Sequence, residues 1–206
     1  MSEAERARPL RRSDLDPDPL RQFHAWFDEA RAAGVVQPER IAVATASAEG
    51  APSVRMLLLK SAAEDGFGFH TNFESRKGAE LAENPRAALA FYWYELGRQV
   101  RVEGAVERVA PEDSEAYFAT RPRGAQLAAW TSAQSRPVAS RDELERRYAE
   151  VAERFGDGEV PLPEHWGGYR VVPDTYEFWQ HRENRLHDRF RYTRAREGWR
   201  IERLAP

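Results

Sequence analysis

Short strand-like segments separated by turns fill residues 41–109, and their order constrains the fold more than any other feature. Gly50, Gly66 and Gly97 mark turns between apolar and β-branched segments. One helix precedes these segments, and helices and further strands follow them. This order is typical of an α+β protein with an antiparallel sheet or small barrel, and not of an alternating βαβ fold. The predicted strands are residues 41–47, 53–60, 67–71, 87–95 and 98–109.

Helices are predicted on both sides of this stretch, and one short helix interrupts it. After Pro19, the residues Leu20, Phe23 and Phe27 recur at helical spacing, and Gly34 ends the run. Further helices are predicted at residues 76–83, 111–120, 125–130 and 141–155, and closing strands at 169–172, 176–180, 186–193 and 199–204. We expect residues 1–16 to form a flexible N-terminal arm and residues 17–206 to form a single domain.

Composition and charge exclude several classes of protein. The chain has no cysteine, which rules out disulfides, thiolate nucleophiles, iron–sulfur clusters and cysteine-bound zinc. A net charge of −3 argues against a general nucleic-acid binder. The longest apolar run, residues 87–94, has eight residues, whereas a membrane-spanning helix needs about 20. We expect a cytoplasmic protein with no metal site, no nucleic-acid partner and no membrane partner.

Lysine is rare in this chain and points to a phosphate site. Of 31 basic residues only Lys60 and Lys77 are lysine, and a compact ammonium is not interchangeable with the planar arginine fork. Arg76 and Lys77 follow Ser75 at a predicted helix start, where the helix dipole disfavours cations unless an anion binds. Arg55 and Lys60 lie five residues apart on one predicted strand, so we expect them on opposite faces, serving different groups. The alternative is that all these cations end in solvent.

A second group of candidates lies towards the C-terminus. If the chain is extended there, Arg185, His187 and Arg189 project from one face and repel one another unless an anion joins them. Trp179 offers a flat apolar wall, and the amide of Gln99 can both donate to and accept from a heterocycle. Together the two groups favour a phosphorylated small molecule, a planar ring and a redox cofactor that carries its own chemistry. The alternative is a solvent-exposed charged face.

At these residues the chain resembles the pyridoxine/pyridoxamine 5′-phosphate oxidase family. The resemblance runs from about residue 10 to residue 206, and its most specific motifs are Arg55-Met-Leu-Leu-Leu-Lys60, Ser75-Arg76-Lys77, Glu177-Phe-Trp-Gln180 and Asn184-Arg-Leu-His-Asp-Arg189. It implies an FMN-binding split β-barrel with flanking helices. It also implies a homodimer that holds FMN at the subunit interface.

The resemblance also implies a reaction and its residues. Pyridoxamine and pyridoxine 5′-phosphates would be oxidised by O₂ to pyridoxal 5′-phosphate, with release of hydrogen peroxide and, from the amine, ammonia, in vitamin B6 biosynthesis. The implied FMN contacts are Arg55, Met56, Leu57, Leu58, Leu59, Lys60, His70, Thr71, Arg76, Lys77, Gln99, Gln134, Ser135, Trp179 and Arg189. The implied substrate contacts are Lys60, Tyr117, Arg121, Arg185, Leu186 and His187, with Arg185 and His187 as catalytic residues.

Three positions depart from the family pattern, and two other functions stay open. Ala125 stands where the family often has serine, His70 where tyrosine is common, and His181 where glycine is usual. One alternative is a sister FMN-dependent oxidase of another reduced heterocycle, such as a dihydrophenazine. The other is a non-catalytic split-barrel protein that binds flavin, haem or pyridoxal phosphate.

Overall fold

Nine β-strands form one curled antiparallel sheet in residues 6–206, the part of the chain that the computed structural model describes. The strands are β1 (Arg40–Ala46), β2 (Pro52–Leu58), β3 (Ser61–Ala63), β4 (Gly66–Asn72), β5 (Arg86–Trp93), β6 (Arg98–Arg108), β7 (Trp166–Gln180), β8 (Asp188–Arg194) and β9 (Trp199–Leu204). Their order is β2-β1-β5-β6-β7-β4-β3, and β8 pairs with β7 and β9. The predicted α+β class with an antiparallel sheet is confirmed.

Strand β7 connects the two parts of the sheet. The strand has 15 residues, and its pairing with β6 along one edge runs from Tyr169 to Gln180. On the other edge, residues 166–171 pair with β4 and residues 175–180 pair with β8. The prediction of two separate strands at 169–172 and 176–180 was wrong here. Pro173 interrupts the local strand pattern, but the strand continues because the β6–β7 register shifts at Gly104, opposite this proline.

Five α-helices flank the sheet in the described part of the chain. They are α1 (Pro19–Ala32), α2 (Arg76–Glu83), α3 (Pro111–Ala119), α4 (Arg123–Thr131) and α5 (Arg141–Phe155). The side chains of Asp18, Ser75 and Ser140 cap α1, α2 and α5 by accepting from backbone amides of the first turn. None of these helices combines the length and the apolar character that crossing a lipid bilayer requires.

Helix α1 closes the aromatic core of the sheet. The ring of Phe23 lies 4.9 Å from those of both Phe67 and Phe91, and the ring of Trp26 lies 5.2 Å from that of Phe178. A smaller cluster under α3, α4 and α5 contains Phe118, Leu127, Val160 and Trp166. Because Trp166 begins β7, this cluster connects the helices to the sheet.

The described part of the predicted arm packs against the sheet. Residues 1–5 lie outside the described residues. Leu10 and Leu15 are buried in the core, and the amide of Leu10 donates to Asp188 at 3.1 Å. The flexibility of the arm and the boundary at residue 17 stay predictions.

We predict that Gly104→Ala destabilises the fold. A Cβ at this position would lie 1.9 Å from the carbonyl oxygen of Val172, so the β6–β7 ladder must shift. We expect a loss of about 1–3 kcal/mol in the free energy of unfolding, measured by urea denaturation. Gly124→Ala in α4 is the control, since its Cβ meets only the Tyr148 hydroxyl, at 3.3 Å. Wild-type stability of the Gly104 variant would contradict the prediction.

Candidate active site

Most of the predicted site residues lie in three places. The α2 cluster, beside the N-terminus of that helix, comprises Arg55, Thr71, Arg76, Lys77 and Gln134. The Lys60 cavity is lined by Leu57, Leu58, Lys60, His70, Thr71, Tyr117, Thr120, Arg121, Pro122, Gln134 and Trp166. The sheet cluster, on β6, β7 and β8 and the turn before β8, comprises Gln99, Trp179, His187 and Arg189.

Lys77 is the buried cation of the α2 cluster. Its Nζ donates to Thr71 Oγ1 at 2.8 Å and to Ser75 Oγ at 3.0 Å. A third hydrogen bond, of 2.6 Å, runs to Gln134 Oε1. Burial, and after it the charge of Arg55, lowers the pKa of Lys77 to about 8. The ammonium therefore rests on neutral oxygens, and an anion bound beside it would stabilise its charged form.

Glu80 of α2 is a member of this site that the sequence reasoning missed. Its carboxylate accepts from Arg76 Nε at 2.8 Å and lies 3.5 Å from Arg55 Nη2. Hydroxyl groups of Thr45 and Ser53 also donate to it. Burial alone would raise the pKa of Glu80, but these hydrogen bonds and the charge of Arg76 lower it to about 2. The i, i+4 spacing of Arg76 and Glu80 is the signal that could have found it.

The Lys60 cavity has a volume of about 640 Å³, which lies within the range of small-molecule sites. The ring of His70 stacks on Tyr117 at 4.2 Å and on Trp166 at 5.2 Å. Lys60 Nζ lies 5.4 Å from the Tyr117 ring centre, and the Arg121 guanidinium lies 4.6 Å from the Trp166 ring centre. Aromatic rings and cations therefore meet in one concave space.

No acidic side chain lines this cavity, and within residues 6–206 neither Lys60 nor Arg121 forms a salt bridge. Burial lowers the pKa of Arg121. Lys60 and Arg55 have different surroundings, since Arg55 lies against Glu80 whereas Lys60 lines the cavity. Strand alternation does not explain this difference, because β2 ends at Leu58.

The sheet cluster is built by cross-strand register. Gln99 lies opposite Trp179, and Trp179 lies opposite Arg189, so the three side chains share one face of the sheet. Arg189 donates to both carboxylate oxygens of Glu177, at 2.8 and 3.1 Å. The ring of His187 lies 4.5 Å from that of Trp179. None of these four residues lines the Lys60 cavity.

Arg185 does not lie on an extended strand, which corrects the expectation of an alternating face. Strand β8 begins at Asp188, and residues 183–185 form a 3₁₀ turn. Asn184 has φ 57° and Arg185 has φ 61°. This left-handed backbone is costly for residues other than glycine, by about 1–2 kcal/mol each. The turn therefore separates Arg185 from the face that carries Arg189.

A backbone contact determines the tautomer of His187. The amide of Arg182 donates to His187 Nδ1 at 3.1 Å, so the neutral ring carries its proton on Nε2. Burial lowers the pKa of His187, and the charges of His181, Arg185 and Arg189 add to this effect. These effects favour the neutral ring, whose Nε2–H is available as a donor.

The remaining predicted site residues belong to none of the three groups described above. Met56 is 59% exposed and Leu186 is 69% exposed, whereas Leu59 is buried. Ser135 has φ 71° in an exposed loop next to Gln134. Among residues 6–206 no three metal-ligating side chains come together.

Comparison with known proteins decides the family. Residues 27–155 match the family model described as pyridoxamine 5′-phosphate oxidase, and residues 166–206 match the pyridoxine 5′-phosphate oxidase C-terminal dimerisation region. The chain belongs to the pyridoxamine 5′-phosphate oxidase family. It is 57% identical to a pyridoxine/pyridoxamine 5′-phosphate oxidase of Rubrobacter xylanophilus, over 96% of this chain and 91% of that protein. It is 54% identical to the protein of the same name from Burkholderia vietnamiensis, over 96% of this chain and 93% of that protein.

Solved structures confirm the split β-barrel of this family. PhzG from Burkholderia lata, in complex with tetrahydrophenazine-1-carboxylic acid, superposes with a TM-score of 0.90 at 30% identity, over 97% of this chain and 99% of that chain. A pyridoxamine 5′-phosphate oxidase-related, FMN binding protein from Nostoc punctiforme superposes with a TM-score of 0.73 at 16% identity, over 93% of this chain and 100% of that chain. At this identity the similarity shows only a shared fold.

We predict that Glu80 makes the stability of this oxidase-family protein depend on pH. Because the pKa of the folded carboxyl group is lowered from 4.5 to about 2, its contribution is present above pH 4.5 and is lost as pH falls towards 2. Between pH 5 and pH 3, urea midpoints should fall more steeply for the wild type than for Glu80→Gln. Glu197→Gln, at an exposed turn, should follow the wild type. Parallel curves for the wild type and the Glu80 variant would contradict this role.

Proposed function

We propose that this protein oxidises pyridoxamine and pyridoxine 5′-phosphates to pyridoxal 5′-phosphate with FMN and O₂. Hydrogen peroxide is released, together with ammonia from the amine. The observation that carries the proposal is the presence of two adjoining cationic sites. Thr71 and Gln134 contact Lys77 and also line the Lys60 cavity, so both sites open to one space.

The α2 cluster suits the phosphate of FMN. A helix N-terminus capped by Ser75, the buried Lys77 ammonium, and the side chains of Arg55 and Arg76 together favour a dianion. Gln134 and Ser135 would extend this contact. When bound, FMN supplies the two-electron acceptor that no side chain of this chain offers.

The Lys60 cavity suits the phosphate of the substrate. Lys60 and Arg121 carry charges that no carboxylate of the cavity compensates, and the Tyr117 hydroxyl adds a donor. A phosphate held there places the attached pyridine ring in the same space as the α2 cluster. This arrangement brings the two reactants together, which is the main contribution a protein makes to such a reaction.

A second copy of the chain would complete the site. The matched C-terminal dimerisation region supports a homodimer. Met56 and Tyr92 are exposed on one face of the sheet, and Tyr92 lies opposite Gln99, so this apolar surface is continuous with the sheet cluster. Pairing through this surface would bring the sheet cluster of one copy to the Lys60 cavity of the other. There Gln99, Trp179 and Arg189 would contact FMN.

Arg185 and His187 would act on the substrate ring, and Leu186 would pack beside it. The His187 Nε2–H donates a hydrogen bond to a polar atom of the ring, and the Arg185 guanidinium stabilises negative charge that develops on the ring. Both groups orient the ring and exclude water from it.

The similarity to PhzG supports a second candidate, oxidation of a reduced phenazine-type heterocycle. The two candidates differ in the anion that the Lys60 cavity would hold, a phosphate in one case and a carboxylate in the other. An oxidase assay with each substrate separates them. Peroxide formation equimolar with pyridoxal 5′-phosphate supports our proposal, and activity confined to the phenazine substrate would overturn it. No peroxide from either substrate would favour a non-catalytic binding protein.

We predict that Lys60→Ala weakens the use of phosphate-bearing substrate. Loss of a charged hydrogen bond of about 1.5–3 kcal/mol should lower kcat/KM about 10-fold to 100-fold, mainly through KM. Steady-state peroxide assays measure this. Arg196→Ala, in an exposed turn, is the matched control and should keep wild-type kinetics. An unchanged KM for the Lys60 variant would place the substrate phosphate elsewhere.

We predict that His187→Gln keeps more activity than His187→Asn. The glutamine amide reaches the position of Nε2 and can donate there, whereas asparagine reaches only the position of Nδ1. With saturating pyridoxamine 5′-phosphate, kcat should be higher for the glutamine variant. The reverse order would show that Nε2–H is not the functional donor.

A further inference from the structure

The ring nitrogens of His70 are left without partners in the Lys60 cavity. Nδ1 and Nε2 are both buried, and neither forms a hydrogen bond. The Nη1 atom of Arg121 is likewise buried and forms no hydrogen bond. A neutral imidazole always carries one N–H, so at least one donor is unsatisfied on each of these residues. Each such group costs about 1–3 kcal/mol, and native proteins leave few of them. A ligand that accepts hydrogen bonds would remove this cost.

The charges around His70 are all positive. Lys60 precedes β3, Arg121 follows α3, and both disfavour a proton on the ring. Helix α3 also contributes Tyr117, and β7 contributes Trp166 and Gly168, which carry no charge. On the α2 side, Lys77 contacts the adjacent residue Thr71. Burial, and after it the charges of Lys60 and Arg121, lowers the pKa of His70 to about 4.

A dianion in the cavity would reverse this situation. It would cancel the charges of Lys60 and Arg121 and offer oxygens to the unpaired ring nitrogens. An opposite charge within about 4–6 Å raises the pKa of a histidine by about 1–3 units. A carboxylate ligand, with a single charge, would leave one of the two cations uncompensated and would favour the protonated ring less.

We propose that His70 is a further anion-recognition group of the Lys60 cavity, and that it takes up a proton when a dianionic oxyanion binds between Lys60 and Arg121. Proton uptake makes His70 a specificity residue, because it strengthens binding of a phosphate monoester more than binding of a carboxylate. The assignment of a phosphate monoester rests on the proposed function. The proton uptake itself can be measured with an inorganic dianion.

Sulfate is the probe, because its charge is constant between pH 5 and pH 8. Titration calorimetry of the full-length protein, in buffers with different ionisation enthalpies, measures sulfate affinity and the number of protons bound. Affinity of the wild type should rise as pH falls, by at most about tenfold per pH unit for one proton. Loss of the sulfate signal in Lys60→Ala assigns it to this cavity.

Two variants of His70 separate titration from packing. His70→Phe keeps a stacking ring, and we expect it to bind sulfate about tenfold or more weakly at pH 6 and to take up fewer protons. His70→Gln keeps a neutral donor, so it should retain part of the affinity but lose the additional proton uptake. Lys77 has a pKa of about 8, but its contribution to proton uptake is the same in the wild type and in the variants. It therefore cancels when their proton uptakes are subtracted. His24→Phe, at an exposed position of α1, is the control and should match the wild type.

Equal proton uptake by the wild type and both His70 variants would overturn the proposal. So would a sulfate signal that survives Lys60→Ala, since the dianion would then bind elsewhere. These outcomes are independent of the oxidase assay. Proton-linked sulfate binding without formation of pyridoxal 5′-phosphate would remove the proposed reaction and leave the role of His70 intact.

Discussion

The pairing of strand β7 is the interaction on which the rest of the structure depends. The strand bonds β6 along one edge and divides its other edge between β4 and β8. Its first residues bring Trp166 to the ring of His70, and its last residues bring Trp179 between Gln99 and Arg189. Because one continuous strand carries both ends, the Lys60 cavity and the sheet cluster keep a defined relation within each chain.

The two cationic regions of the site handle positive charge differently. In the α2 cluster, Glu80 partly neutralises Arg55 and Arg76, so this region is stable on its own while Lys77 stays bound to neutral oxygens. In the Lys60 cavity no acidic residue faces Lys60 or Arg121. An anionic ligand would supply the missing negative charge, so the cavity is the stronger indicator of an anionic substrate.

Local sequence signals predicted most elements and failed where long-range pairing decides. Helices at residues 76–83 and 141–155 were predicted with the observed bounds, because capping serines and helical spacing are local features. Strand β7 was divided at Pro173, since the sequence around that proline carries no sign of the register shift at Gly104. The predicted extended face at Arg185 was wrong because two consecutive left-handed residues turn the chain. Glu80 was missed because three of its partners lie on other elements.

The sequence by itself determined the family, the α+β class and the residue types of the site, since cationic motifs and strand spacing are properties of short segments. Only the tertiary structure decided which of these residues share a space. It brought the ring of His70 against those of Tyr117 and Trp166, set the tautomer of His187 through the Arg182 amide, and kept the sheet cluster apart from the Lys60 cavity. These contacts join residues far apart in the chain, and their hydrogen bonds, burial and charges depend on how the strands pair and the helices pack.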